Sequence, residues 1–279
     1  MKTLAAAAER LAAAGVEAPR AEADLLLAHV LGAGRDKLYI EQNRRLTPAE
    51  IASYEVLLTR RAAREPYAYL TGRREFLGRD FEVSAAVLIP RPETEELVLA
   101  ALADRGAGGR RWLDLGTGSG AVAISLKLAR PEAAVTGTDI SAAALRTAAR
   151  NGARLGADLR WARGDLFAAV ADEVFDLIVM NPPYISPREY AACAPELRKE
   201  PSIALVAAED GLLFYRRLAR EAAARLSSGG ALWMEIGAAQ GAAVREIFTA
   251  AGWRLEIRRD LAGRERLARA VPVRSYFTS

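Results

Sequence analysis

The chain has 279 residues, 51% of them apolar, and a formal charge of +4 from 39 basic and 35 acidic side chains; this is a globular composition for one or two domains, with a basic excess that permits nucleic-acid contact without demanding it. No run of about 18 apolar residues is present to span a bilayer, and Glu9 and Arg10 break the alanine-rich start before a signal-peptide core forms, so a cytoplasmic protein with no membrane partner is expected. Cys193 is the single cysteine and His29 the single histidine, which excludes an intrachain disulfide and a cysteine-cluster zinc site, argues against a histidine triad, and leads to the expectation of no metal.

Residues 1–72 read as a bundle of short helices. Leu25, Leu26, Leu27, Val30 and Leu31 recur at helical spacing. Thr47-Pro48-Ala49-Glu50 has the form of a capping box with proline at the first helical position. Ile51, Tyr54 and Leu58 follow on one face, and Pro66 is expected to close that helix. The segment carries no catalytic motif, so its role is packing or holding a partner. Residues 73–87 are expected to form a hairpin linker, with Glu75-Phe76-Leu77 and Phe81-Glu82-Val83 flanking a turn at Gly78-Arg79-Asp80.

From about residue 110, short apolar strands alternate with helices. Trp112–Leu115 reads as a strand, Ala121–Ala129 as a helix, and Ala134–Thr138 as a strand ending at Asp139, after which Ser141 can cap a helix. Arg163-Gly164-Asp165-Leu166 ends a third strand-like stretch, Phe175–Met180 forms a fourth, and Ala231–Ile236 follows a helix over about 212–226. This alternation predicts a doubly wound, mostly parallel α/β sheet.

Asp114-Leu115-Gly116-Thr117-Gly118-Ser119-Gly120 falls between a strand and a helix. Glycines let the backbone turn sharply and approach a ligand, and the helix start offers free N–H groups. Dinucleotide sites use G-x-G-x-x-G. Here the third glycine arrives one residue early, which argues against NAD, and no lysine follows to make a phosphate-binding loop. Asp139, at the end of the next strand, can accept hydrogen bonds from both ribose hydroxyls. Asp165 can accept from an adenine amino group while Leu166 packs on the base. The set fits S-adenosylmethionine, which has a ribose and an adenine but no phosphates. Asp114 either holds the loop through backbone N–H groups or contacts the ligand's ammonium group.

Asn181-Pro182-Pro183-Tyr184 follows the fourth strand, and ligands in open α/β sheets bind beyond the carboxyl ends of strands. An amide or aromatic amine nitrogen has a delocalised lone pair and two N–H donors. The Asn181 side-chain oxygen and the Pro182 carbonyl can accept one each, the prolines preorganise those acceptors, and Tyr184 can stack on the planar group. Methyl transfer from a sulfonium needs no metal and no strong base; proximity and orientation supply most of the acceleration. The motif alone does not separate a glutamine from an adenine.

The wider pattern resembles the bacterial release factor glutamine methyltransferases, the PrmC or HemK family. It is carried by Tyr69-Leu70-Thr71-Gly72, Glu75-Phe76 with Gly78, Leu88 to Glu95, the glycine loop, Asn181 to Tyr184, Glu200-Pro201 with Ala204-Leu205, Asp210-Gly211-Leu212, Glu235-Ile236-Gly237 with Gln240, and Asp260 with Gly263-Arg264. It runs from about residue 20 to the C-terminus. The resemblance implies a class I methyltransferase domain over residues 88–279, Rossmann-like, with a mostly parallel sheet and an antiparallel strand near the C-terminus, behind a small helical domain (1–72) that docks the release factor. The implied reaction, part of translation termination, moves a methyl group from S-adenosylmethionine to the side-chain amide nitrogen (N5) of the glutamine in a Gly-Gly-Gln motif, leaving S-adenosylhomocysteine. Implied cofactor contacts are Gly116, Thr117, Gly118, Ser119, Gly120, Asp139, Leu166 and Asn181, to which the reading of the residues themselves adds Asp114 and Asp165. Implied substrate contacts are Asn181, Pro182, Pro183 and Tyr184, with Arg91 and Glu93 from the segment lining the active site. A monomer without a stable nucleic-acid partner is expected. Two departures are visible: Ala207-Ala208-Glu209 stands where the family usually has glycines, and Leu166 where some members have an aromatic.

Two other functions compete. An adenine-N6 methyltransferase acting on DNA or RNA could use the same motif on an extruded base, but no target-recognition domain and no basic patch with interleaved aromatics is visible. A ribosome-associated binding module could retain the fold without the reaction.

Overall fold

The computed structural model describes residues 2–40, 44–104, 109–208 and 210–273. Glu209 and residues 274–279, which fall within the expected ranges, lie outside the described residues, as do Met1, 41–43 and 105–108. The chain divides into two compact units, Met1–Arg73 with Ala194–Lys199, and Arg74–Cys193 with Glu200–Ser279.

The first unit is helical among the described residues: α1 (Lys2–Ala13), α2 (Pro19–Val30), α3 (Arg35–Ile40), α4 (Pro48–Ala62) and α5 (Tyr67–Thr71). Leu11, Leu26, Tyr54 and Leu58 form its core, each at most 2% exposed. Thr47 Oγ1 accepts from Glu50 N while the Glu50 carboxylate accepts from Thr47 N, so the capping box is closed. α4 stops at Ala62, before Pro66, because Arg64 turns into the left-handed region at φ 64°; Pro66 heads α5 instead. Ile51 does not share the burial of Tyr54 and Leu58 and is exposed.

The hairpin of β1 (Arg73–Phe76) and β2 (Arg79–Glu82) follows, in the second unit from Arg74 onward. Its turn is Leu77-Gly78, one residue earlier than the sequence suggests. Both turn residues have positive φ, 48° and 73°, as a two-residue type I′ connection requires. The hairpin is fastened to its own unit: Glu82 N donates to Asn151 Oδ1, and Asn151 Nδ2 donates to the carbonyls of Glu82 and Ser119.

Next come α6 (Pro92–Leu102), β3 (Arg111–Leu115), α7 (Ala121–Ala129), β4 (Ala134–Asp139), α8 (Ala142–Leu155), β5 (Arg160–Arg163), β6 (Phe175–Met180), α9 (Pro187–Ala191), α10 (Leu213–Glu221), β7 (Leu226–Glu235), α11 (Gly241–Ala250), β8 (Trp253–Arg259) and β9 (Glu265–Pro272). The sheet order is β5-β4-β3-β6-β7-β9-β8. Pairings are parallel from β5 through β7, and β9 runs antiparallel between β7 and β8. This is the expected class I methyltransferase architecture, behind a helical N-terminal region.

The strands are apolar because both faces are covered. In β6, Leu177 and Val179 pack with α6 and α7, while Ile178 and Met180 pack with α10 and α11. β7 starts well before Ala231; Ser227-Ser228-Gly229-Gly230 interrupts its apolar pattern and conceals the start. Among the described residues no helix is long and apolar enough to cross a membrane.

Candidate active site

The strand order places the site. From β3 the chain winds outward to β4 and β5, then returns to the other side of β3 as β6. The carboxyl ends of β3 and β6 therefore flank the point where the winding reverses, which is where open α/β sheets bind ligands. Leu115 and Met180 are paired there, so the glycine loop and Asn181 leave the sheet side by side.

Asp114 organises the loop from beneath. It is 2% exposed, and its Oδ2 accepts from Thr117 Oγ1 at 2.6 Å and from Ala123 N at 3.1 Å. Burial pushes its carboxyl up to about 7; those two hydrogen bonds pull the other way, and neighbouring Asp139 adds to the rise. Of the two roles open to Asp114, holding the loop is visible in these bonds. Gly116, Gly118 and Gly120 have φ of 70°, 56° and 83°, a region costly for other residues. A Cβ at Gly118 would meet nothing closer than Gly116 O at 4.0 Å, so the loop leaves open space above its backbone. Asp139 ends β4 and accepts from Gly118 N at 3.0 Å and Ser141 N at 2.8 Å; burial raises its pKa against these bonds.

Above the strand ends lies a cavity of about 250 Å³. Its walls include Gly116, Gly118, Asp139, Asp165, Leu166, Asn181 and Pro183, together with Val87, Ile203 and Phe214. Among the described residues, two carboxylates and no lysine or arginine line it, which suits a nucleoside without phosphates and with a cationic tail. A smaller cavity is lined by Pro90, Arg91, Thr94, Asp114 and Gly116 to Ser119. The two share Leu88, Gly116, Gly118 and Asn181, so Asn181 stands at their junction.

Asp165 lies two residues beyond the end of β5. Its two oxygens accept from Arg217 Nη1 and Nη2, each at 3.0 Å; remaining lone pairs stay open to a second donor. Leu166 is buried in the left-handed region at φ 46°. Thr117 and Ser119 line the smaller cavity. Gly120 lines neither cavity and packs against Ile124 and Ala148.

A polar network lies behind Asn181. Asn181 Nδ2 donates to Thr94 Oγ1 at 3.0 Å, Thr94 Oγ1 donates to Glu235 Oε2 at 2.7 Å, and Tyr184 Oη donates to Glu235 Oε1 at 3.2 Å. Glu235 is 1% exposed. Burial raises its pKa, against Thr94, Arg266 and Tyr184, which favour the anion; Glu93 adds to the rise. Burial also raises the Tyr184 hydroxyl, with Glu235 acting in the same direction, so Tyr184 stays a protonated donor. Gln240 Nε2 donates to the Tyr184 carbonyl at 3.0 Å, and Ile185 N donates to Leu205 O at 2.9 Å, which fixes the path of the motif. Tyr184 lines neither cavity; its ring packs on the apolar core. Pro182 is buried beside Asn181. Arg91 pairs with the buried Glu200 carboxylate, which also accepts from Ile89 N. Glu93 is half-buried in the first turn of α6 and lines neither cavity.

Thr94 falls in the segment expected to line the site, and Glu235 and Gln240 in the family pattern, but the sequence assigns none of them a role there; it does not single out Arg266 at all. One signal was available: Glu235 is a charge at the end of the apolar run Ala231–Met234, and a buried charge demands partners.

Comparison with known proteins agrees with this architecture. A family model described as the PrmC N-terminal domain matches residues 2–72, and one described as a methyltransferase small domain matches residues 93–251. A protein of Bordetella pertussis named release factor glutamine methyltransferase is 47% identical over 253 residues, 90% of this chain and 94% of that protein. One of the same name from Cereibacter sphaeroides is 47% identical over 271 residues, 96% of each. Among solved structures, the hMettl16 catalytic domain in complex with a MAT2A 3'UTR hairpin superposes with a TM-score of 0.57 at 18% identity, covering 78% of this chain and 83% of that one; at that identity the likeness is one of fold.

Proposed function

The chain belongs to the release factor glutamine methyltransferase family, and from that premise we propose that it methylates the side-chain amide nitrogen of the glutamine in the Gly-Gly-Gln motif of peptide-chain release factors. The observation that carries the reading is the place of Asn181, at the junction of two cavities on the winding reversal of the sheet.

The cofactor of this reading is S-adenosylmethionine. Bound, it supplies a methyl group on a sulfonium that leaves as a neutral thioether. The residues present fit it. Asp139 would hold the ribose hydroxyls, Leu166 and Asp165 the adenine, the Gly116–Gly120 backbone would allow a close approach, and Asp114 on the smaller cavity would hold the ammonium end. Among the described residues, a phosphate-bearing ligand would face two carboxylates, with no lysine or arginine in the lining of the larger cavity.

Asn181 Oδ1 and the Pro182 carbonyl accept the two N–H groups of the glutamine amide. They hold its nitrogen on the line of attack and stabilise the positive charge that develops there. Pro183 shapes the slot for the planar amide and Arg91 stands at its edge, while Tyr184, packed on the core, supports the motif from behind. The methylated nitrogen is strongly acidic once the bond forms, so its proton passes to solvent without a dedicated base. The helical unit over residues 1–73, we infer, docks the release factor, with the monomeric enzyme acting in the cytoplasm.

The test is mass spectrometry of a release factor incubated with enzyme and cofactor. A gain of one methyl group on the Gly-Gly-Gln glutamine, absent when that glutamine is alanine, is the expected result; equal labelling of both proteins would overturn the reading. Asn181→Ala removes one of the two acceptors and should lower kcat by about 100-fold or more, while cofactor affinity changes far less; an unchanged kcat removes Asn181 from the mechanism.

A further inference from the structure

We propose that Thr94 and Glu235 are positioning residues that hold the Asn181 side chain with its carbonyl oxygen, rather than its NH2 group, facing the substrate. The inference rests on the glutamine-amide reading above. It adds the reason why Asn181 can act as an acceptor at all.

The two ends of a primary amide have nearly the same shape, so packing does not choose between them; hydrogen-bond partners do. Asn181 Nδ2 lies 3.0 Å from Thr94 Oγ1. A threonine hydroxyl has one proton to give. Here its oxygen lies 2.7 Å from Glu235 Oε2, and in its anionic form, which Thr94, Arg266 and Tyr184 favour against burial, that carboxylate only accepts. The Thr94 proton is therefore committed to Glu235, and Thr94 turns only lone pairs toward Asn181. The NH2 end satisfies them and the carbonyl end does not, which leaves Oδ1 for the cavities that Asn181 lines. Glu235 Oε1 accepts from Tyr184 at 3.2 Å, so both hydroxyl protons of the network point at the same carboxylate. Thr94 and Glu235 are 5% and 1% exposed, so water does not readily replace either partner.

The direction of this relay depends on the negative charge. With glutamine at position 235, an NH2 group could donate to Thr94. The Thr94 proton would then be released toward Asn181, whose amide could turn and present N–H groups to the N–H groups of the substrate.

Paired substitutions at Thr94 separate positioning from packing. Valine keeps the shape and removes the hydroxyl; serine keeps the hydroxyl and removes the methyl. In the full-length enzyme with a release factor as substrate, Thr94→Val should lower kcat about 10- to 100-fold. Thr94→Ser should restore most of the rate, and Glu235→Gln should fall with the valine variant. S-adenosylhomocysteine affinity, measured by calorimetry, should stay within about threefold in all three. A packing role predicts the reverse order, with valine tolerated and serine impaired. Wild-type kcat in Thr94→Val, or an equal fall in Thr94→Ser, overturns the proposal. Should Thr94→Val lower the unfolding midpoint below the assay temperature, Glu235→Gln decides: wild-type kcat in that variant overturns the proposal, and a fall with unchanged midpoint and cofactor affinity supports it. Failure of the glutamine reading would show differently, as a wild-type enzyme that leaves the release-factor glutamine unmethylated.

Discussion

Asp114 shows what one buried carboxyl does to a site. It binds the glycine loop through Thr117 and Ala123, and its burial raises its pKa from 3.8 to about 7. A group whose pKa is higher in the folded state contributes stability that is complete below the unfolded value and is lost as pH rises through the folded one. The ligand-free enzyme should therefore lose stability between pH 3.8 and about 7. Asp114→Asn keeps an acceptor for Thr117 and carries no charge, so it should flatten that part of the profile. Unfolding free energies measured across the range check this; an unchanged slope would assign it to another group. Asp165 lies at the other extreme. Half its side chain is exposed and it pairs with Arg217, and a pair of that kind adds little stability. Its residue type and spacing were legible in the sequence. Its partner was not, because Arg217 comes from α10, far along the chain.

At the scale of elements, the glycine loop and the fourth strand work as a pair because β3 and β6 are neighbours. Gly120 joins the loop to α7 and α8. A Cβ there would lie 2.9 Å from Ile124 Cδ1 and 3.1 Å from Ala148 Cβ, at φ 83°. Gly120→Ala should cost about 2–4 kcal/mol, from left-handed strain and overpacking together. Gly156→Ala, at φ 71° with nothing within 4 Å of the added carbon, should cost about 1 kcal/mol from strain alone. Denaturant titration of the two variants should show that gap; equal costs would mean that Ile124 and Ala148 move aside freely. β6 was legible because a strand covered on both faces carries a near-continuous apolar run, and β3 and β4 because short stretches of small and apolar residues end at the glycine loop and at Asp139. The start of β7 and the hairpin turn were not. Ser227–Gly230 looks like a loop and forms an irregularity inside the strand, between the paired Leu226 and Ala231, and Leu77 takes a positive φ that its type disfavours.

At the scale of the whole molecule, the chain builds two units from segments that are not contiguous. Glu196 belongs to the first unit, where it accepts from Arg61 and Arg64; Arg61, 4% exposed, also pairs with Glu22. Burial would raise the Glu196 carboxyl, but the hydrogen bonds from Arg64 and Arg61 outweigh it and hold the group at about 2. A depressed acid contributes stability above its unfolded value that disappears as pH falls through the folded one. The first unit should therefore lose stability from pH 4.5 down to about 2, and Glu196→Gln should remove that part of the acid transition. Circular dichroism against pH tests it; an identical transition in the variant would exclude Glu196 as its source. The sequence by itself determined the class of fold, through the alternation of apolar strands and helices, and the chemistry of Gly116–Gly120 and Asn181–Tyr184, because turn geometry and residue type are local properties. Only the tertiary structure decided which distant side chains complete that chemistry. Thr94, Asn181 and Glu235 come from α6, the end of β6 and the end of β7, and hydrogen bonding among buried groups depends on which strands become neighbours, not on spacing along the chain.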